Sequence, residues 1–214
     1  MAIANTQVQF DFLFGLFTYL AIAVGIVVFG MMAYYLIKYR AKPGSAEPED
    51  APVLGRLPDS RGHPRSVITT LSLSIILLAV LIIGSFAAVD SILTPPVKVC
   101  DGCGVLVTGH QFYWNFTYQN HYSNLSFLRV PMGENIRLNV TSADVFHDFG
   151  IIGFDIKTDA IPGRDNILWF NPSNAGNYTI QCFELCGDGH WHMKATLIVM
   201  PQATWQLWYN SVKR

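Results

Sequence analysis

Phe12-Leu-Phe-Gly-Leu-Phe-Thr-Tyr-Leu-Ala-Ile-Ala-Val-Gly-Ile-Val-Val-Phe-Gly-Met-Met-Ala-Tyr-Tyr-Leu-Ile37 runs for 26 residues without a charged side chain. As an α-helix it reaches roughly 39 Å, enough to cross a ~30 Å hydrocarbon core with some tilt. Lipid offers backbone N–H and C=O groups no partner, so such a run must bond internally as a helix. A soluble core helix rarely goes so far without a charge. A cleaved signal core is about half as long and follows basic residues, whereas residues 1–11 contain no Lys or Arg. A second uncharged run covers residues 67–89. The expectation is a helical hairpin in the membrane, with spans at 12–37 and 67–89 and a short segment, 1–11, ahead of it.

Between the spans, residues 38–66 hold Lys38, Arg40, Lys42, Arg56, Arg61 and Arg65. The positive-inside bias puts this loop in the cytoplasm and both termini outside. Its middle, from Lys42 to Pro52, is Pro, Gly and acid with little to build a core.

Hydrophobic residues make up 51% of the 214-residue chain and charged residues 14%, with a mean hydropathy of +0.30. That balance argues against a wholly soluble or a disordered protein. Lys+Arg 14 against Asp+Glu 15 leaves no positive excess for nucleic acid.

After Asp90 the texture changes. Thr94-Pro-Pro96 ends the helical pattern, and short β-branched and aromatic segments follow at 105–108, 112–118, 125–130, 135–141, 166–170, 178–181 and 196–200. Turn signals such as Pro131-Met-Gly133 and Ile161-Pro-Gly-Arg164 separate them. This spacing predicts an all-β sandwich or small barrel over residues 90–214. Trp205, Leu207 and Trp208 predict a short amphipathic helix lying on it. Four Asn-x-Ser/Thr sequons, at Asn115, Asn124, Asn139 and Asn177, read equally as glycan acceptors or as chance matches in Thr-bearing strands.

The chemistry concentrates in Gln181-Cys-Phe-Glu-Leu-Cys-Gly-Asp-Gly-His-Trp-His-Met193, which places Cys182, Cys186, His190, His192 and Met193 in one loop between two predicted strands. Three readings compete. A Cys182–Cys186 disulfide leaves His190 and Met193 unused. A zinc site of two Cys and two His has no use for a thioether. Copper suits thiolate, imidazole and thioether together, and a second thiolate suggests two coppers bridged by two sulfurs. Such a pair needs another imidazole, from His110, His121 or His147; His147, in Asp144-Val-Phe-His-Asp148 at a predicted strand end, leads.

The pattern Cys-x-Glu-x-Cys-x-x-x-His-x-x-Met at 182–193 resembles the binuclear copper (CuA) motif of cytochrome c oxidase subunit II. Gly109-His-Gln-Phe-Tyr-Trp114, Asp155-Ile-Lys-Thr-Asp-Ala-Ile-Pro-Gly-Arg164 and Ala175-Gly-Asn-Tyr-x-x-Gln-Cys182 are similar to that family too. The resemblance implies a cupredoxin-like Greek-key copper domain on a two-helix hairpin in a prokaryotic cell membrane. By resemblance, Cys182 and Cys186 bridge both copper ions. His147 and Met193 complete one metal; His190 and the backbone carbonyl of Glu184 complete the other. The Glu184 carboxylate would bind Mg or Mn at the contact with subunit I.

The implied role is to accept electrons outside the membrane, from a c-type cytochrome or a blue-copper protein, and pass them to haem in subunit I. There O2 becomes water, coupled to proton translocation. Two alternatives are the copper subunit of a nitric oxide reductase and a membrane-anchored copper-binding or delivery protein. No haem is expected in this chain, because Cys100-Asp-Gly-Cys103 lacks the His of a c-type attachment motif; a local disulfide is the competing use of that pair. Where the family has a Trp through which electrons enter, this chain has Phe112, followed by Tyr113 and Trp114. Gln119 to Leu125 contains no acid to attract a basic donor, and Arg65 to Thr70 lacks the family's usual Glu and Trp. Lys194 stands where Pro commonly follows the Met, and His192 is extra.

Overall fold

A computed structural model describes residues 5–40, 63–94 and 98–212, together with Gly44 and Gly55. Most of the loop read as cytoplasmic, and Pro95 and Pro96, lie outside the described residues.

The chain divides into two units, residues 13–87 and residues 1–12 with 88–214. The first unit is helical. Helix α1 spans Asn5–Lys38 and α2 spans Pro64–Leu93. Both are long and apolar enough to cross a bilayer, and their most apolar windows are unburied within the chain. Large side chains such as Ile26, Phe29, Ile76 and Ile83 lie exposed, as an element solvated by lipid requires. A Cβ on Gly84 would come within 3.1 Å of the Leu16 side chain, so the two helices approach closely at a small residue.

The second unit is a β-sandwich. Its strands are β1 (Gly104–His110), β2 (Tyr113–Tyr118), β3 (Ser123–Asn124), β4 (Phe127–Pro131), β5 (Ile136–Ser142), β6 (His147–Ile151), β7 (Ile156–Ala160), β8 (Asn166–Phe170), β9 (Gly176–Cys182) and β10 (Lys194–Met200). They form two five-stranded sheets, ordered β3-β2-β1-β5-β8 and β4-β10-β9-β6-β7. Most pairs are antiparallel, but β1 runs parallel to β5 and β4 parallel to β10. These crossovers give the cupredoxin-like arrangement that the resemblance implies. Alternation along the strands sets the core: Val105 and Val107, Trp114, Phe116 and Tyr118, Ile136, Leu138 and Val140 from one sheet meet Leu128, Phe149, Ile180 and Leu197 from the other.

Three strands lie outside the segments expected from the sequence: the two-residue β3, β6 and β7. In β6, His-Asp-Phe-Gly-Ile is buried at every position, so it shows no alternation. In β7, Ile-Lys-Thr-Asp-Ala buries only its end residues and reads as loop. His147 is therefore the first residue of a central strand. Helix α3 (Gln202–Ser211) also departs from expectation in its face. Trp205 and Tyr209, four apart, are buried and stacked at 5.0 Å, with Trp208 beside them against Tyr118, while Leu207 is exposed. Within this unit the first turn of α1 is tied to the sandwich, Thr6 donating to the Phe154 carbonyl at 2.6 Å. Of the sequons, Asn124 uses its side chain in a local turn and Asn115 buries its amide oxygen, whereas Asn177 is exposed.

Candidate metal centre

Strand β9 ends at Cys182 and β10 begins at Lys194, so the ligand-rich stretch is the loop joining two paired strands, closed by a 3-10 turn at His190–His192. Across its base, Cys182 N–H donates to the Met193 carbonyl at 3.1 Å. That bond sets the Cys182 and Met193 backbones opposite one another at the loop's base. Strand β6 pairs with β9, Phe149 opposite Cys182, and so carries His147 to the loop from 35 residues upstream.

The donor atoms converge. Cys182 Sγ lies 3.8 Å from His147 Nδ1, 3.2 Å from the Glu184 carbonyl oxygen and 4.0 Å from Cys186 Sγ. Cys186 Sγ lies 3.7 Å from His190 Nδ1 and 3.8 Å from Met193 Sδ. A sulfur and a nitrogen bound tetrahedrally to one metal at about 2.3 and 2.1 Å stand roughly 3.6 Å apart. The sulfur–imidazole spacings are therefore those of ligands sharing a metal. A sulfur–sulfur bond of about 2.05 Å is excluded, and both thiols are free. His147 and Met193 are wholly buried, Cys182 and Cys186 nearly so, and His190 half-buried. Among the described residues, His147, Cys182 and Cys186 form the one cluster of three such groups with ligand atoms within 4.8 Å of each other.

Electrostatics favour a bound cation. Burial, and then the adjacent Cys182, push the Cys186 thiol up to about 11. Two thiolates side by side in this site need positive charge between them, which a soft metal supplies. The imidazole is already aimed. His147 Nε2 lies 2.8 Å from Asp144 Oδ1, so its N–H donates to the carboxylate and Nδ1, facing Cys182 Sγ, keeps a lone pair available to a metal. Burial pushes the Asp144 carboxyl up, but bonds from His147 and from the N–H groups of Gln111 and Val145 outweigh it and hold the pKa at about 2. Gly109 gives the ring its space: a Cβ there would meet His147 Cδ2 at 2.9 Å and Trp114 at 3.1 Å.

The remaining histidines stand apart from the donors. His110 stacks on Tyr113 at 4.7 Å, and His121 sits in the turn after β2 at φ 65°. His192 packs on Trp191 at 4.3 Å and lies outside the cluster. Of the three rings read as the route for incoming electrons, Tyr113 is exposed, Phe112 is half-buried over the loop, and Trp114 is fully buried with its edge to His147 at 5.8 Å. The Glu184 side chain is exposed while its carbonyl turns to Cys182; its carboxylate belongs to no cluster of three ligand groups among the described residues. Cys100 and Cys103 are joined in a disulfide. Three residues at the site were not anticipated: Asp144, Gln111 and Trp191. A carboxylate three positions before a candidate ligand was a usable signal for Asp144. Gln111 and the exposure of Trp191, 74%, needed the fold.

Comparison with known proteins points one way. Residues 127–200 match the family model described as cytochrome c oxidase subunit II, periplasmic domain. The haem–copper oxidase subunit 2 of Aeropyrum pernix is 35% identical over 224 residues, covering 99% of this chain and 93% of the relative. The cytochrome c oxidase subunit 2 of Alkalihalophilus pseudofirmus is 33% identical over 88% of this chain and 54% of its own length. Among solved structures, the periplasmic domain of subunit II of cytochrome oxidase from Bradyrhizobium japonicum superposes with a TM-score of 0.51 at 32% identity, covering 55% of this chain and 97% of that one.

Proposed function

The chain belongs to the cytochrome c oxidase subunit II family, a copper-binding, membrane-anchored component of an oxidoreductase complex, and on that premise we propose that it is the electron-accepting subunit of a haem–copper terminal oxidase. The observation that carries this reading is a pair of free, buried thiols 4.0 Å apart, each within 3.7–3.8 Å of its own imidazole nitrogen.

Cys182 and Cys186 would bridge two copper ions, with His147, His190, Met193 and the Glu184 carbonyl as terminal ligands. Bound there, the copper pair supplies one-electron redox chemistry. The residues do the rest. The Cys182 and Cys186 thiolates would spread the charge change of such a pair, and their burial would keep water from reorganising around it. Asp144 holds His147 in one tautomer. The spans at 12–37 and 67–89 would anchor the chain in the cell membrane, with the basic loop inside and the copper domain, residues 90–214, outside. The exposed Glu184 carboxylate is an oxygen donor suited to Mg or Mn completed by ligands of subunit I. The donor is a one-electron carrier, a c-type cytochrome or a blue-copper protein. With no acid in residues 119–125, its docking depends little on long-range charge.

The test is copper stoichiometry and electron paramagnetic resonance on the purified full chain. Two coppers per chain with a mixed-valence signal support the reading; zinc, or one isolated copper, overturns it. In the assembled complex, O2 consumption distinguishes a terminal oxidase from a nitric oxide reductase, and a chain that yields its copper to an acceptor without a haem partner is a delivery protein. Reduction rates that fall steeply with added salt would overturn the weakly charged docking surface.

A further inference from the structure

The β1–β2 turn supplies no ligand, yet it grips the site from two sides. Gln111 N–H donates to Asp144 Oδ2 at 2.7 Å, while Asp144 Oδ1 accepts from Val145 N–H at 2.6 Å and faces His147 Nε2 at 2.8 Å. The Gln111 side-chain amide reaches the other way and donates to the carbonyl of Cys186. Next to it, the Phe112 ring lies over the loop so closely that a Cβ on Gly189 would stand 2.3 Å from it. One turn thus holds the imidazole of a central strand and the thiol-bearing loop of a different connection.

The loop needs such a hold. Cys186-Gly-Asp-Gly189 leads into His190, and two glycines in three residues leave the backbone between a bridging sulfur and an imidazole little stiffness of its own. Gly187 sits at φ 135°, a conformation other residues rarely adopt. Local propensity therefore does not fix the Cys186–His190 spacing; within the loop His190 N–H donates to the Gly187 carbonyl at 3.0 Å, and contacts from outside the loop supply the rest of the hold.

We propose that Gln111 and Asp144 are positioning residues of the copper centre, forming a clamp that registers His147 against Cys186 through the β1–β2 turn. This rests on the copper reading above. Asp144 directs Nδ1 of His147 toward the sulfurs and anchors the turn; Gln111 transmits that anchor to the Cys186 backbone. Neither residue touches the metal.

The experiment uses the full chain loaded with copper, comparing Gln111→Ala, Asp144→Asn and Asp144→Ala with the unchanged protein. Gln111 is exposed, so its truncation leaves the core intact and remains informative if Asp144→Ala fails to fold. Losing one hydrogen bond to a loop carbonyl should speed copper release to a chelator about tenfold in Gln111→Ala. Its copper hyperfine pattern should change while the melting temperature of the metal-free chain hardly moves. Asp144→Asn keeps one acceptor oxygen and should fall between Asp144→Ala and the unchanged protein in both release rate and hyperfine pattern. Unaltered release and spectra in Gln111→Ala would overturn the clamp, as would variants that lose only thermal stability. An unchanged protein lacking the two-copper signal would instead overturn the underlying reading, which separates the two failures.

Discussion

The β-sandwich unit carries two pairs of cysteines close in sequence, and they meet opposite fates. Cys100 and Cys103, three apart with Cα atoms 5.1 Å apart, are joined in a disulfide. Cys182 and Cys186, four apart, are free with their sulfurs at 4.0 Å. Sequence spacing hardly distinguishes them; surroundings do. The first pair closes a turn and belongs to no cluster of three metal-ligating groups among the described residues. The second is flanked by two imidazoles, a thioether and a carbonyl, and a glycine-bearing loop held from outside keeps the sulfurs beyond bonding distance. A thiol pair becomes a candidate ligand pair when the fold fills its neighbouring positions with further donors.

The largest test of that contrast exchanges sulfur for oxygen at each pair. Cys182→Ser should abolish the two-copper spectrum, because a hydroxyl is a poor bridging ligand for a soft metal. Cys100→Ser with Cys103→Ser should leave the spectrum intact. Visible absorption and paramagnetic resonance of the copper-loaded chain read both, and a surviving mixed-valence signal in Cys182→Ser would sink the assignment of that sulfur. Next in size is Gly109→Ala. Its methyl group would press on His147 and Trp114, costing about 1–3 kcal/mol of stability and displacing one imidazole. Thermal melting and the hyperfine pattern should both respond.

Much of this was legible in the sequence, for identifiable reasons. The hairpin showed because lipid forbids charge over some twenty residues, a signal no turn or pairing can mask. The convergence of Cys182, Cys186, His190 and Met193 showed because four candidate ligands fall within one short loop. His147 was harder: its partnership with Cys182 depends on β6 pairing with β9, and β6 is buried on both faces, so no alternation announced it as a strand. Asp144 and Gln111 were invisible as a unit. They are 33 residues apart, and Gln111 reaches the Cys186 carbonyl across 75, contacts made by sheet topology rather than local pattern. The buried state of Trp114 was within reach, since alternation along β2 turns Tyr113 outward and Trp114 in.

A smaller effect separates the pairs by titration. Burial and the neighbouring Cys182 raise the Cys186 pKa from 9.0 to about 11 in the metal-free chain. The folded state then holds its proton where the unfolded state has lost it, so stability is fully present below about pH 9 and is lost as pH rises through about 11. The fall should be on the order of 2 kcal/mol. Cys186→Ser should remove that part of the alkaline slope, and the disulfide pair, which has no proton to lose, should contribute none. Melting curves of the metal-free chain, with the loop thiols kept reduced, between pH 8 and 11 check this; identical slopes would mean that Cys186 ionises freely.

Reducing or replacing the Cys100–Cys103 bond should have the smallest effect. A crosslink acts mainly by restricting the unfolded chain, and a separation of three closes so short a loop that the entropic gain is at most about 2 kcal/mol. Other contacts hold the same turn. Cys103 N–H donates to the Cys100 carbonyl at 3.1 Å and Gly102 N–H to Gln119 Oε1 at 3.0 Å, while the Cys103 carbonyl accepts from Arg137 N–H at 3.0 Å. These bonds persist without the sulfur bridge, so the measured loss should fall below the entropic figure and the copper spectrum should not move. Calorimetry of the double serine variant gives the first quantity, and its paramagnetic spectrum the second. A change in the spectrum would mean that the two pairs are not independent but coupled through the sheet that β1 shares with β2 and β5.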